Sequence, residues 1–256
     1  MTHRFTVMYP LPGGKEEERI AYVCLPDSYF EKKYKRFPVI YMFDGHNIFF
    51  DEDATFGKSW GMDEYMENNQ PQVIIAAIEC NHHPNNGRMQ EYSPYTFYDP
   101  KYGRVYGRGQ ETMDWIVHEF KPYIDHHFRT LPDRQHTFIA GSSMGGLMSI
   151  YALMEYNSVF SRAAALSPSL WTSPRGIHHI ISKAELDPDT LLYINYGSEE
   201  FSNHAKQRSA YRETVGHLKR RGVDVHSYIV HGGTHCEACW QAQIPYFIRT
   251  LLRRRY

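Results

Sequence analysis

Two short runs of almost unbroken apolar character set the frame for this chain. Residues 37–43 read FPVIYMF and stop at Asp44-Gly45, and residues 72–78 read QVIIAAI. Runs this short and this apolar, closed by turn residues, describe strands buried on both faces. A helical stretch around residues 62–66 lies between them, so the local order is strand, helix, strand. Met113, Ile116, Val117, Phe120 and Ile124 then recur at steps of three and four, which predicts an amphipathic helix over 111–127 with Pro122 starting or kinking its last turns. Further strands over 137–140, 160–166, 191–196 and 223–230 alternate with helices over 145–156, 203–221 and 237–254. That alternation implies an α/β fold, a mostly parallel central sheet with helices on both faces. Ahead of it, extended segments 4–10 and 19–25 flank Pro12-Gly13-Gly14-Lys15, the signature of an N-terminal antiparallel hairpin.

At 256 residues and 42% hydrophobic, the chain can bury a sizeable core, and without a repeat or linker it reads as a single domain over 1–256. Lys plus Arg at 28 against Asp plus Glu at 29 leaves a net charge of −1 and no field to hold a polyanion, which excludes nucleic acid as a partner. The opening MTHRFTVMYP lacks a signal-peptide core, and no stretch reaches the roughly 18 apolar residues of a membrane helix. These features, with four scattered cysteines, predict a cytoplasmic protein with reduced thiols and no membrane partner. Residues 81–108 break the pattern. Pro84, Pro94 and Pro100 interrupt a segment that carries Tyr92, Tyr95, Phe97, Tyr98, Tyr102 and Tyr106, a long aromatic loop suited either to walling a pocket or to packing on its own domain.

The chemistry centres on Gly141-Ser142-Ser143-Met144-Gly145, a Gly-x-Ser-x-Gly set between a short strand and a helix. Average composition gives roughly 0.07 chance matches in a chain of this length before that context is required. The spacing makes mechanical sense: a sharp turn lifts Ser143 to the carboxyl edge of the sheet, and small flanking residues let strand and helix approach. A serine hydroxyl needs a base, and the base a carboxylate. On such a sheet the chain order is Ser, acid, His. His235, in Gly232-Gly233-Thr234-His235 after the last strand, is the expected base, and His231 at the strand end a structural residue. The acid falls in Gly197-Ser198-Glu199-Glu200 at another strand's carboxyl end, where chemistry alone does not separate Glu199 from Glu200. Two backbone N–H groups, of Met144 and of His46, are placed to stabilise an oxyanion. No cofactor or metal is required.

The segments YMFDGHNIFF, IAGSSMGGLMSIYAL, ALSPSLW, YINYGSEE and GGTHCEACW together resemble the putative-esterase family of α/β-hydrolases, from about residue 19 to the C-terminus. That family includes feruloyl and acetylxylan esterases, siderophore trilactone esterases, S-formylglutathione hydrolases and mycolyltransferases. The resemblance implies an α/β-hydrolase fold and a serine carboxylesterase with Ser143 as nucleophile, His235 as base and Glu200 as acid. It also implies a pocket lined by Trp171, to which the aromatic-loop reading adds Tyr92 and Tyr95 as further expected substrate contacts. The motifs are most similar to siderophore-esterase-like hydrolases, but Thr172 replaces a common second Trp and no basic cluster suits a catecholate iron complex. The expected substrate is therefore a small uncharged ester, an acylated sugar (a carbohydrate-esterase activity) or an aryl ester. A siderophore trilactone esterase or an acyltransferase on the same fold is the alternative. Outside that class stands a metal-binding protein using His231, His235, Cys236 and Cys239, since Cys-x-x-Cys with nearby His can hold zinc.

Overall fold

A computed structural model describes residues 1–200 and 204–253. Its strands are β1 (Thr2–Leu11), β2 (Lys15–Cys24), β3 (Val39–Met42), β4 (Ile74–Ile78), β5 (Phe97–Asp99), β6 (Gly103–Val105), β7 (Thr137–Ser142), β8 (Arg162–Leu166), β9 (Leu191–Gly197) and β10 (Asp224–Val230). The helices are α1 (Ser28–Glu31), α2 (Met62–Asn69), α3 (Gly87–Glu91), α4 (Gly109–Trp115), α5 (Lys121–His127), α6 (Met144–Glu155), α7 (Pro174–Lys183), α8 (His204–Arg220), α9 (Glu237–Gln241) and α10 (Ile244–Leu252). Eight strands form one sheet in the order β1-β2-β4-β3-β7-β8-β9-β10. The β1–β2 hairpin is antiparallel, β2 joins β4 antiparallel, and every later pairing from β4 to β10 is parallel. This is the α/β-hydrolase arrangement, with the expected N-terminal hairpin.

The apolar runs behave as strands covered on both faces. Val39, Tyr41 and Phe43 pack on one side with Ile116, Phe120 and Leu147. Ile40 and Met42 pack on the other with Phe247, Ile248 and Leu251. The period of two along β3 thus feeds two separate helix layers, and no polar position is spared for solvent.

Several boundaries differ from the sequence reading, each for a local reason. The helix expected over 111–127 is continuous from Gly109, but Ile116–Phe120 is a π-helical turn immediately before Pro122. A proline there lacks an N–H and crowds the preceding turn, and one wider turn absorbs the misfit. The helix expected over 237–254 is two, α9 and α10, with Pro245 in the first turn of the second. Arg254, the last residue of that expectation, and Asn203, the first of the helix expected over 203–221, lie outside the described residues. Helix α7 was not anticipated, although Ile177, Ile180 and Ile181 are buried at helical spacing. Nor is the 81–108 segment a bare loop, because it holds α3 and the antiparallel ribbon β5–β6. Among the described residues, no helix is long and apolar enough to cross a membrane.

Parallel strands align their carboxyl ends, so the turns after β3, β7, β8, β9 and β10 gather at one edge. The approach of β7 to α6 is one of the tight contacts on that edge. A Cβ on Gly141 would lie 2.7 Å from the backbone carbon of Gly145, closer than real atoms approach. We expect Gly141→Ala to force strand and helix apart at a cost of about 1–3 kcal/mol. Urea unfolding would show this as a lower midpoint at unchanged slope, and an unaltered midpoint would mean that the contact is not constraining.

Candidate active site

Ser143 is the turn between β7 and α6, and its backbone sits at φ 56°, ψ −118°. A non-glycine residue pays for that conformation. The surroundings hold it there: its N–H donates to Leu166 O at 2.9 Å, and its carbonyl accepts from Leu147 N at 3.0 Å and Ser169 N at 2.9 Å. Of the five non-glycine residues with positive φ among those described, Asp44 (58°) and Ser167 (45°) occupy the equivalent turns after β3 and β8. Three neighbouring strand ends therefore carry strained backbone on the same edge of the sheet.

The side chains converge. Ser143 Oγ lies 2.9 Å from His235 Nε2, and His235 Nδ1 lies 3.0 Å from Glu200 Oε2. Glu200 is 1% exposed, and its other oxygen accepts from Gly197 N at 2.7 Å and from the Ser167 hydroxyl. Ser167 in turn accepts from Trp240 Nε1 at 3.2 Å, and the Trp240 ring meets the His235 ring edge-on at 5.0 Å. Burying a carboxylate is costly unless its oxygens are hydrogen-bonded, as they are here. Glu199 is exposed and Glu200 is the neighbour of His235, which separates the two carboxylates that sequence left open. Ser169 Oγ stands 3.3 Å from Ser143 Oγ. Sequence reasoning passed over Ser167, Ser169 and Trp240. The two serines stand just past the end of an alanine-rich buried strand, a position at the sheet edge that could have marked them.

Met144 opens α6 and His46 lies in the 3₁₀ turn Gly45–Asn47 that follows β3, so both backbone N–H groups belong to first turns without a carbonyl ahead of them. The second turn is held by a residue that sequence reasoning missed. Arg88, at the start of α3, donates from Nε to Asp44 Oδ1 at 2.6 Å and from Nη2 to Asp44 Oδ2 at 2.7 Å. Burial works to raise the Asp44 carboxyl, but the charge and hydrogen bonds of Arg88 outweigh it and hold that carboxyl below the ordinary carboxylate range.

Of the aromatic residues expected to contact substrate, the structure separates three fates. Tyr92 is wholly buried, its ring edge-on to Phe43 at 5.0 Å and its hydroxyl accepting from Asp44 N at 3.2 Å. It supports the Asp44 turn from within the core and does not line a pocket, because a buried tyrosine hydroxyl takes the nearest backbone partner. Tyr95 is half-buried and donates its hydroxyl to Gly176 O at 2.9 Å, tying the segment to α7. Trp171 keeps 37% of its surface exposed and meets Phe97 of the ribbon edge-on at 5.9 Å. The proposed zinc cluster around the Cys-x-x-Cys does not assemble. His235 is engaged by Ser143 and Glu200, while Cys236 and Cys239 share the Thr234 hydroxyl at 3.2 and 3.4 Å. Among the described residues, the group with metal-ligand spacing is a different one, His46, Cys80 and His82.

The family model described as "Putative esterase" matches residues 15–251. Among curated proteins, the uncharacterized protein YbbA of Bacillus subtilis (strain 168) is 26% identical over 179 residues, 69% of this chain and 66% of that protein, just under two thirds of the relative's length. Among solved structures, an IroE-like serine hydrolase from Shewanella oneidensis superposes with a TM-score of 0.72 at 22% identity, over 97% of this chain and 79% of that one. A ferulic acid esterase gives 0.66 at 17% identity, over 98% and 99% of the two chains. S-formylglutathione hydrolase (FrmB) from Staphylococcus aureus gives 0.68 at 18% identity, over 99% and 97%. At these identities the structural likenesses establish the fold.

The Asp44–Arg88 pair yields a prediction with a definite pH dependence. Arg88→Ala leaves a buried carboxylate unpaired, which we expect to cost about 2–3 kcal/mol at pH 7, at the low end for buried pairs because Arg88 retains solvent contact. A carboxyl whose folded pKa is depressed contributes stability above its unfolded value, near 3.9, and loses it as pH falls through the folded value. The gap between wild type and Arg88→Ala in urea unfolding should therefore narrow below about pH 4. A gap constant down to pH 2 would count against the pair.

Proposed function

Since the chain belongs to the putative esterase family, a family of hydrolases, we propose that it is a serine carboxylesterase acting through an acyl-enzyme, with the whole chain as one domain. The observation that carries this reading is the continuous chain from Glu200 to His235 to Ser143, with contacts of 3.0 and 2.9 Å. In the proposed reaction Ser143 Oγ attacks the ester carbonyl carbon while its proton passes to His235 Nε2. Glu200, accepting from His235 Nδ1–H, fixes the tautomer and stabilises the imidazolium that forms. Negative charge on the former carbonyl oxygen falls to the N–H groups of Met144 and His46. Collapse breaks the bond to the alcohol, which leaves with the proton from His235. Water, deprotonated by the same nitrogen, then releases the acid and restores Ser143.

The substrate reading is a small uncharged ester, with an aryl acyl group preferred over an acylated sugar. Trp171, backed edge-on by the buried Phe97, presents an exposed aromatic face joined to the Ser143 side through Ser169, whose N–H bonds Ser143 O. The name of one structural relative, ferulic acid esterase, points to an ester of an aryl acid. A cytoplasmic location accords with four free cysteines, two of them buried.

Intact-mass analysis after fluorophosphonate treatment tests the nucleophile. One adduct is expected on wild type and none on Ser143→Ala, and an adduct that survives the substitution would sink the assignment. Ser143→Ala should lower kcat on p-nitrophenyl esters by about 10⁴ or more, and Glu200→Gln by less, while Glu199→Gln leaves it within about twofold. Trp171→Ala should raise KM for methyl ferulate by about tenfold and leave KM for p-nitrophenyl acetate nearly unchanged. Equal effects on both would argue against an aryl-binding rim.

A further inference from the structure

His46, Cys80 and His82 bring one ligand atom each to a single place, all within 4.8 Å of one another, on the carboxyl side of β3 and β4. The ester chemistry uses the backbone of His46 and none of these side chains. The decisive feature is the His46 ring. It is 4% exposed, its Nε2 meets Thr55 Oγ1 at 3.1 Å, and its Nδ1 is buried with no hydrogen-bond partner among the described residues. An imidazole nitrogen left bare in a protein interior is costly. With Nε2–H given to Thr55, Nδ1 carries a lone pair, the form in which histidine binds metal, and the threonine supplies the outer hydrogen bond that fixes the ring.

The other two groups complete a donor set. The His82 ring meets the His46 ring edge-on at 4.6 Å, and its Nε2 lies 3.5 Å from Glu79 Oε2, a carboxylate placed to orient it. Its side chain is 55% exposed, which leaves a route from solvent to the buried pair. Cys80 is 3% exposed and lies two residues beyond the end of β4. In the surrounding charge, Asp44 and Glu79 offset Arg88, which is already tied to Asp44.

We propose that His46 Nδ1, Cys80 Sγ and a ring nitrogen of His82 form a site for one zinc-class transition-metal ion, with the fourth position open to water. Two imidazoles and a thiolate are a donor set that zinc accepts tetrahedrally, and the thiolate selects against magnesium and calcium. Tetrahedral ligation sets donors about 3.3–3.6 Å apart, so closure from the observed spacing asks for about an ångström of side-chain movement. The balance is simple: the metal–sulfur bond replaces the S–H bond of Cys80, one proton leaves to solvent, and nothing is oxidised or reduced. This site stands independently of the ester reading, and binding is its readout.

The test is titration of full-length, metal-stripped protein with cobalt(II), followed by displacement with zinc(II), monitored by absorption. We expect one equivalent of cobalt to give a thiolate-to-cobalt charge-transfer band with intense tetrahedral d–d bands, abolished by one equivalent of zinc. Cys80→Ser should remove the charge-transfer band. His82→Ala, at a half-exposed ring where folding is not at stake, should weaken zinc binding at least about tenfold. Absence of a band in wild type, wild-type affinity in His82→Ala, or a band lost in Cys236→Ser and kept in Cys80→Ser would each overturn the proposal.

Discussion

The backbone of Ser143 is held where an L-residue resists going, and much of the surrounding structure is the means of holding it. A residue in such a region costs on the order of 1–3 kcal/mol. Three backbone hydrogen bonds oppose that cost, one to the last residue of β8 and one from the turn that follows it. That turn is itself strained at Ser167, whose N–H donates to both the carbonyl and the side-chain oxygen of Asn195 on β9. Strain at one strand end is thus braced by the next strand, and the brace works only because β7, β8 and β9 are parallel and end at the same level.

The same brace carries the polar network. Ser167 donates to Glu200 and accepts from Trp240, so one hydroxyl joins β8, the turn after β9 and helix α9. Glu200 is saturated from two sides before it reaches His235, which lets a carboxylate sit buried and still present one oxygen to the imidazole. The residue that reads as core filling in sequence, Trp240, supplies both a ring against His235 and a donor to the network. Positioning of the imidazole therefore depends on packing and hydrogen bonding together.

How much of this was legible follows from what each signal reports. Apolar runs report burial, and they located β3 and β4 because both faces of those strands are covered. The Gly-x-Ser-x-Gly string reports a close approach, and the 2.7 Å that a Cβ on Gly141 would leave to Gly145 is the physical content of that string. Chain order pointed to Ser143, the Glu199-Glu200 pair and His235 because parallel strands place successive turns on one edge, and in the structure Ser143, Glu200 and His235 lie in contact. What escaped was decided by contacts between distant segments. Arg88 is an unremarkable arginine in sequence, 44 residues from the aspartate that it grips. Tyr92 carried the wrong expectation because an aromatic count cannot tell a ring facing a ligand from one facing the core. The cysteine pair beside His235 drew attention by its spacing, yet the metal-like group in space joins the turn after β3 to residues just beyond β4, which no local spacing reveals.

The two sides of the site consequently differ in how they are built. The Ser143, Glu200 and His235 side is made from turns of adjacent parallel strands, where topology alone brings the residues near. The His46 side is made by α3 and the chain around it, which reach back to the Asp44 turn through Arg88 and Tyr92. Helix α3 is anchored at its other end as well, since Glu91 accepts from the buried Arg19 of β2 at 2.6 Å. Asp44 thus accepts the paired hydrogen bonds of Arg88 and donates its backbone N–H to the Tyr92 hydroxyl, both partners being carried by α3 and its C-terminal end. The turn held in this way carries His46, whose ring meets that of His82 beside Cys80.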